Sequence, residues 1–285
     1  MTNSRWSHPA RALVLAIAAS LLISVPGTAA GPTVTSGAGA ESDRGFTPIV
    51  SSADAWPLAA SGARASASAS IARLPPAATT TMTYASAYRH GSRTRNVVAL
   101  TFDDGYSPAQ TRAIFTILKA EHVKATFFPY ARATLEAPGL WRQIAAAGYP
   151  IGNHTYSHAN LAHLSTAGVI SELARARTTI ARITGVAQPP ILRPPFGAYT
   201  TATRHAAALA GYLTLALWDV DTRDWSGISA SAIVSRAIIG TRGSIVLMHA
   251  GPASTPKALR AIIANYRSRG YAFVTVPEML GVPWP

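Results

Sequence analysis

The chain has 285 residues and 48% of them are hydrophobic, so it is long enough to bury a sizeable core. It has no cysteine, which excludes disulfides, thiolate metal ligands and a cysteine nucleophile. Its formal charge is +13, and residues 91–285 hold 19 Lys and Arg against 9 Asp and Glu. The arginines are scattered without interleaved aromatics, which argues against nucleic acid; an anionic cell wall and a merely soluble basic surface both explain the charge.

The N-terminus has the pattern of a secretory signal peptide. Arg5 and Arg11 supply the positive region, residues 12–25 are apolar, and small residues follow at positions 27–30. The apolar stretch is short for a membrane span, although an uncleaved anchor is an alternative. We therefore predict a signal peptide over residues 1–30 and a secreted, extracellular chain that can associate with the cell wall and has no membrane contact after cleavage.

The next segment, residues 31–91, is rich in Ala, Ser, Gly, Thr and Pro. Such a composition lacks the apolar density that offsets the entropy lost on ordering. We predict a disordered linker or wall-spanning spacer over residues 31–91, followed by a folded domain over residues 92–285.

In the folded domain, short apolar runs alternate with longer amphipathic segments. Seven strands alternating with helices indicate an α/β fold with a parallel sheet, and a closed or nearly closed barrel would place its chemistry at the carboxyl ends of the strands. The predicted strands are residues 97–102, 125–129, 150–152, 191–193, 213–218, 244–248 and 271–275. The predicted helices are residues 108–121, 135–147, 166–184, 201–210, 229–239 and 255–269.

His154 and His158 are the first candidate ligands. Four residues apart, they would share one face of a helical turn, and their imidazoles could then meet at one metal ion. Asp103 and Asp104 end the first predicted strand, where both side chains could reach a common mouth. One acid could complete the ligand set and the other could serve as a general base.

Further polar residues follow the later strands. Arg193 precedes a rigid Pro-Pro turn and could hold a carboxylate bidentately. Residues 218–225 contain three acids and two tryptophans, and an acid here could orient a histidine. His249 ends an apolar strand and is a candidate general acid. Taken singly, each of these features is also explained by a turn, a rim loop or a buried histidine.

Taken together, five segments resemble the five motifs of the NodB-homology polysaccharide deacetylases, carbohydrate esterase family 4, in the same order. The resemblance covers residues 92–280 and implies a distorted (β/α)7 barrel, with residues 92–285 as the catalytic domain. The segments are residues 101–105 (Thr-Phe-Asp-Asp-Gly), 154–158 (His-Thr-Tyr-Ser-His), 193–196 (Arg-Pro-Pro-Phe), 221–225 (Asp-Thr-Arg-Asp-Trp) and 247–249 (Leu-Met-His).

The resemblance also implies the central roles. Asp104, His154 and His158 would be the metal ligands, usually for Zn²⁺, with Co²⁺, Ni²⁺ or Mn²⁺ as possible substitutes. Asp103 would be the general base and His249 the general acid.

Five further residues would position the catalytic groups or contact the substrate. By the same resemblance, Arg193 would position the base and Asp224 would tune His249. Phe196 would present its backbone N–H to the oxyanion, and Trp225 would wall the acetyl pocket. Tyr199 is counted with the residues that contact substrate. The family more often has tyrosine at position 196, so phenylalanine loses a hydroxyl while keeping the N–H.

The function predicted from these features is hydrolysis of N-acetyl groups on N-acetylglucosamine polymers such as peptidoglycan or chitin, by a monomer that binds no nucleic acid. O-acetyl ester hydrolysis on xylan is the alternative, and a non-catalytic glycan-binding module is a further one. A glycosidase could pair Asp103 with Asp221 or Asp224, but it would have no need of the two histidines. His163 is expected at the rim, outside the site.

Overall fold

The computed structural model describes residues 83–284. The predicted signal peptide and most of the predicted linker therefore lie outside the described residues. The linker prediction is wrong for residues 83–91, because Ala85 is fully buried and the strand β1 (Ser86–Tyr88) pairs in parallel with residues 214–216. Small residues can enter a strand when a neighbouring edge binds them, and composition alone does not reveal this.

The described chain alternates strands and helices from residue 86 onward. After β1, the strands are β2 (Val97–Asp104), β3 (Ala125–Pro129), β4 (Ile191–Leu192), β5 (Thr214–Ala216), β6 (Val220–Asp221), β7 (Ser244–His249) and β8 (Ala272–Phe273). The helices are α1 (Pro108–Ala120), α2 (Ala131–Thr134), α3 (Pro138–Ala146), α4 (Thr166–Thr184), α5 (Thr201–Leu209), α6 (Ala230–Ala237), α7 (Ser254–Ser268) and α8 (Val276–Leu280).

The strands form two parallel sheets. One has the order β3-β2-β7-β6, with β8 also paired to β2, and the other has the order β1-β5-β4. Two isolated parallel bridges, Phe127 with Ile151 and Asn153 with Leu192, connect β3 to β4. The predicted α/β fold with parallel strands is confirmed, and the carboxyl ends of these strands share one edge.

The largest part of the core fills the space between the sheet that contains β2 and the surrounding helices. Strand β2 is buried along most of its length, and α1 turns Ile114, Phe115 and Leu118 towards it. Gly105, which follows β2, has a φ of +72°, and a Cβ there would lie 2.5 Å from Cζ2 of Trp141. Only glycine therefore lets the chain leave β2 beside the Trp141 ring.

Several element boundaries differ from the prediction. The predicted helix 135–147 starts later and corresponds to α3, because Pro138 takes the first position of that helix; the short helix α2 ends at Thr134, before it, and was not predicted. Residues 150–152 make only the single bridge at Ile151 and form no continuous strand. The short strand β6 and the helix α8 were not predicted, since each is too short to show a period.

The helices within residues 83–284 include none with both the length and the apolar character of a membrane span. The longest is α4, which runs from the N-cap Ser165 to the left-handed C-cap Gly185. Its buried face packs inward and its other faces carry arginines, as in an amphipathic surface helix.

Candidate active site and metal centre

Asp103 and Asp104 lie at the carboxyl end of β2, at the edge that β7 and β3 share with it. Neighbouring side chains on a strand normally point to opposite faces. Asp104 has a φ of +71°, which breaks this alternation. Both carboxylates consequently line the same cavity.

His154 and His158 lie in an irregular loop, and the prediction that they share a helical turn is wrong. Thr155 and His158 have φ values of +67° and +64°, which no α-helix contains. The two rings nevertheless lie close together, with 5.1 Å between their centroids. Their Nε2 atoms are 3.5 Å and 3.2 Å from Oδ1 of Asp104.

These three residues fit a bound cation. Nδ1 of His154 lies 2.7 Å from the backbone oxygen of Arg193, an acceptor, so Nδ1 donates and Nε2 is the nitrogen that faces Asp104. Oδ1 of Asp104 is buried and has no hydrogen-bond partner among the described residues. A carboxylate oxygen and two imidazole nitrogens that converge within 4.8 Å of one another are an arrangement that a metal ion stabilises.

Asp104 carries a negative charge in this setting. Burial acts to raise the pKa of its carboxyl, but His154 and His158 outweigh burial and hold that pKa well below its usual range. One carboxylate and two imidazoles are borderline ligands of the kind that zinc and its neighbours in the first transition row accept.

Arg193 is fully buried and fixes Asp103. Its Nη1 donates to Oδ1 of Asp103 and to Oγ1 of Thr101, each at 2.7 Å. Its Nε and Nη2 donate to the backbone oxygens of Ala216 and Leu217. The predicted bidentate contact is wrong, because the remaining N–H groups are taken by the carbonyls at the end of β5.

The second oxygen of Asp103 faces the histidines. Oδ2 lies 3.9 Å from Nε2 of His154, beyond hydrogen-bond distance, while Oδ1 is held by Arg193. Asp103 is 3% exposed and therefore sits at the base of the cavity with one oxygen oriented and the other available.

His249 ends β7, and Asp224 holds it. Oδ1 of Asp224 lies 2.7 Å from Nδ1 of His249, and Oδ2 accepts the backbone N–H of His249 at 2.7 Å. Thr255, at the start of α7, donates to the same Oδ2 at 2.6 Å. Burial lowers the pKa of the His249 imidazole, but the Asp224 carboxylate outweighs it and raises that pKa to about 9. His249 is therefore a cation at neutral pH.

The cavity that unites these groups has a volume of about 420 Å³. Phe196 and Trp225 stand at its rim and are 67% and 58% exposed, whereas Arg193 and Asp224 lie behind the lining residues. Trp218 and Asp221, which were not among the predicted residues of the deacetylase site, also line it. The lining residues are Asp103, Asp104, His154, His158, Phe196, Trp218, Asp221, Trp225, Leu247 and His249.

Tyr199 does not line this cavity, and its contact with substrate stays a prediction. It packs against the apolar cluster that contains Leu161 and Tyr212. His163 lies in a short 3-10 turn and, as predicted, does not line the cavity.

Another cavity, of about 470 Å³, is lined by residues that include Lys124, Glu278 and Trp284. It contains no residue of the five motif segments. The titratable groups that could act on a substrate are therefore clustered in the smaller cavity.

Backbone strain is concentrated around the smaller cavity. Six described residues other than glycine have a positive φ, and only His122 lies away from the motif segments. Such conformations cost of the order of 1–3 kcal/mol each and persist where the surroundings impose them. The other five are Asp104, Thr155, His158, Phe196 and Arg223.

Comparison with known proteins agrees with this geometry. The sequence model of the polysaccharide deacetylase family matches residues 90–215. A peptidoglycan-N-acetylglucosamine deacetylase of Bacillus cereus is 36% identical over 188 residues, which are 64% of this chain and 67% of that one. The chain belongs to the polysaccharide deacetylase family.

Other members of the polysaccharide deacetylase family differ in length. The peptidoglycan-N-acetylglucosamine deacetylase PgdA of Listeria monocytogenes is 34% identical over 191 residues, and the match covers 67% of this chain but 40% of that protein. The crystal structure of the Bc1960 peptidoglycan N-acetylglucosamine deacetylase has 35% identity and a TM-score of 0.66, and covers 70% of this chain and 94% of that one.

The part of this polysaccharide deacetylase family member that follows residue 215 lies beyond the matched family model. It nevertheless contributes His249 to the cavity and Asp224 behind it. The fold thus brings the fourth and fifth motif segments to the same mouth as the first three.

Proposed function

We propose that this chain is a secreted, metal-dependent hydrolase that removes acetyl groups from the nitrogen of N-acetylglucosamine units in a polymer such as peptidoglycan or chitin. The observation that carries the proposal is one cavity that holds a cation-binding triad, an oriented carboxylate and a protonated histidine. Family membership and relatives named peptidoglycan-N-acetylglucosamine deacetylases support the reaction and the substrate class.

The metal would be held by Asp104, His154 and His158. A divalent cation there, zinc in the first instance and Co²⁺, Ni²⁺ or Mn²⁺ as substitutes, would supply a Lewis acid for the acetyl carbonyl and a water of lowered pKa. The fixed tautomer of His154 and the unpaired Oδ1 of Asp104 support this ligand set.

Asp103 would act as the general base. Its Oδ2 faces the ligand group, and its Oδ1 is bound to the guanidinium of Arg193. That hydrogen bond fixes the direction of the carboxylate. Asp103 would therefore accept the proton of the attacking water through Oδ2.

His249 would act as the general acid. An amine anion is a very poor leaving group, so the C–N bond breaks only when the nitrogen receives a proton. His249 donates Nδ1–H to Asp224, which leaves the proton on Nε2 for the substrate nitrogen. After this transfer the ring is neutral and still carries the Nδ1–H that Asp224 accepts.

Phe196 and Trp225 would receive the sugar. Both are exposed at the rim, where aromatic faces pack against the apolar faces of sugar rings. The positive φ of Phe196 turns its peptide unit at the rim, and its backbone N–H would stabilise the developing oxyanion.

The other candidates fit the geometry less well. A glycosidase that used Asp224 would need an accessible carboxylate, whereas Asp224 is fully buried and already accepts from His249 and Thr255. Asp221 lines the cavity but accepts the N–H of Arg223. A non-catalytic module would have no use for an oriented Asp103 and a charged His249.

The deciding experiment measures acetate release from peptidoglycan, chitooligosaccharides and acetylated xylan, each with added zinc and with a chelator. We expect release from the N-acetylated substrates, loss of release with chelator and recovery on zinc addition. Release from xylan alone would show that the enzyme hydrolyses O-acetyl esters rather than N-acetyl amides. Chelator-resistant release, or full activity of Asp104→Ala, would contradict the metal assignment. Secretion is tested by N-terminal sequencing of protein recovered from the medium, which should start after residue 30.

A further inference from the structure

One carboxylate outside the motif segments holds the loop that carries both histidines. Glu172 lies in α4, and its side chain is 12% exposed. Its Oε2 accepts the backbone N–H of Tyr156 at 3.0 Å, the backbone N–H of Ser157 at 2.9 Å and the hydroxyl of Ser157 at 3.1 Å. Three donors from two consecutive loop residues thus converge on a single oxygen.

This loop needs an external restraint. It has no helical or strand hydrogen bonds, and two of its residues, Thr155 and His158, have positive φ values. Its carbonyl groups are bound from one side, where Ala131 and Arg132 of α2 donate to the oxygens of Thr155 and Tyr156. Glu172 binds its N–H groups from the other side.

His158 depends on this restraint more than His154 does. His154 is buried, and its Nδ1 is bound to the oxygen of Arg193. His158 is 27% exposed at its side chain, and within residues 83–284 its Nδ1 has no hydrogen-bond partner. Its ring lies against the rings of His154, Tyr130 and Phe196 and the carboxylate of Asp104, and none of these contacts engages Nδ1. The position of its Nε2 is therefore set mainly by the backbone.

A surface ion pair does not account for Glu172. Arg175 approaches its other oxygen, Oε1, only to 3.8 Å, and the Arg175 side chain is 56% exposed. Exposed pairs of this kind contribute little to stability. The guanidinium of Arg175 instead packs over the Tyr156 ring, 3.9 Å from its centroid, and covers the contact between Glu172 and the loop.

We propose that Glu172 is a positioning residue for the metal site, which fixes Tyr156 and Ser157 so that His158 presents Nε2 beside Asp104 without further adjustment. The proposal rests on the proposed metal-dependent function. Hydrogen bonds to an ionised acceptor are about twice as strong as neutral ones, so a carboxylate suits this position better than an amide. Outer residues that orient metal ligands typically account for a 10–100-fold difference in metal affinity.

The test compares zinc dissociation constants of wild type, Glu172→Gln and Arg175→Gln, measured by competition with a chromogenic chelator. We expect Glu172→Gln to weaken zinc binding about 10–100-fold and Arg175→Gln to leave it near wild type. Unchanged zinc affinity in a folded Glu172→Gln protein would overturn the proposal. An equal loss in both variants would also overturn it, because the effect would then come from a general disturbance of this surface rather than from the hydrogen bonds of Glu172 to the loop.

A second measurement needs no metal. In the metal-free wild type, the amides of Tyr156 and Ser157 should exchange slowly with solvent, and in Glu172→Gln they should exchange faster while the amides of β2 stay protected. Fast exchange of both loop amides in wild type would refute the role of Glu172. Failure of the wild type to bind zinc would instead contradict the proposed function and leave this exchange result to decide on Glu172.

Discussion

Asp224 binds His249 at two places, the ring Nδ1 and the backbone N–H, each at 2.7 Å. The double contact fixes the ring and favours its charged form, and it raises the pKa of His249 to about 9 against an ordinary value of 6.5. The proton on the opposite ring nitrogen is therefore present across the neutral range.

The first prediction concerns this pair. If protonated His249 is the acid, kcat/KM of the metal-loaded enzyme should fall on the alkaline side, where His249 loses its proton. Asp224→Asn removes the charge that raises the pKa, so the alkaline limb should move to lower pH and the rate at pH 8 should drop. Thr255→Val removes a neighbouring hydrogen bond without changing charge and should shift the limb less. A limb that stays in place in Asp224→Asn would show that another group titrates there.

The second prediction separates the two adjacent acids. Asp103→Asn keeps the size of the side chain but cannot accept a proton, so we expect a loss of about 10²–10⁴-fold in kcat with zinc binding retained. Asp104→Asn should lose zinc binding as well. Isothermal titration with zinc beside acetate-release rates checks both, and near-normal turnover by Asp103→Asn would remove it from the mechanism.

The third prediction concerns the buried charge pair. Arg193→Met leaves the Asp103 carboxylate buried without its partner, and such losses typically destabilise a fold by about 3–5 kcal/mol. The double variant Arg193→Met with Asp103→Asn removes both charges and should regain part of that free energy of unfolding. Urea denaturation of metal-free protein measures all four corners of this cycle. Equal destabilisation of the single and double variants would mean that packing, rather than charge, is responsible.

The fourth prediction tests the exit from β2. Gly105→Ala would strain a residue at φ +72° and push a methyl group against Trp141. Combined strain and overpacking should destabilise the fold by about 2–4 kcal/mol. Gly139→Ala is a matched control, since nothing lies within 4 Å of its added Cβ and the residue is helical. Thermal unfolding should show a clear loss for the first and no loss for the second.

The fifth prediction concerns the rim. Trp225 is 58% exposed beside the cavity, so Trp225→Ala should raise KM for a chitooligosaccharide with a smaller change in kcat, and Trp225→Phe should restore much of the binding. Leu209→Ala, at an equally exposed apolar residue that does not line the cavity, should change neither constant. An unchanged KM in Trp225→Ala would place the sugar elsewhere.

Much of the fold was accessible from the sequence, because long periodic segments carry their own signal. The helix predicted at residues 166–184 agrees with α4 at both ends, where Ser165 and Gly185 cap it. Strand β1 was missed because three exposed residues, Ser86–Tyr88, owe their order to pairing with β5 rather than to their own pattern. Short elements such as β6 are defined by their neighbours and not by local sequence.

The site, like the fold, could be predicted only in part. Residue types and strand ends were enough to select Asp103, Asp104, His154, His158 and His249 for one mouth. Tyr199 packs against an apolar cluster and does not line the cavity, which its place in a loop did not reveal. The single-contact geometry of Arg193 could not be foreseen, because it depends on which carbonyls lie at the end of β5. The role of Glu172 could not be predicted, because it is one acidic residue of a helix and its hydrogen-bond partners lie in a loop that has no regular sequence pattern.

The strained residues around the cavity should make this part of the protein unfold locally before the rest on warming. Asp104, Thr155, His158, Phe196 and Arg223 hold left-handed conformations only while their neighbours stay in place, whereas β2 and β7 beneath them are buried and paired along their lengths. Local opening begins where stability is lowest, and here that is the mouth rather than the sheet. Activity should therefore disappear at a lower temperature than the fold does, and it should return on cooling. The temperature range in which the enzyme is active would then be set by the five residues with left-handed backbone conformations.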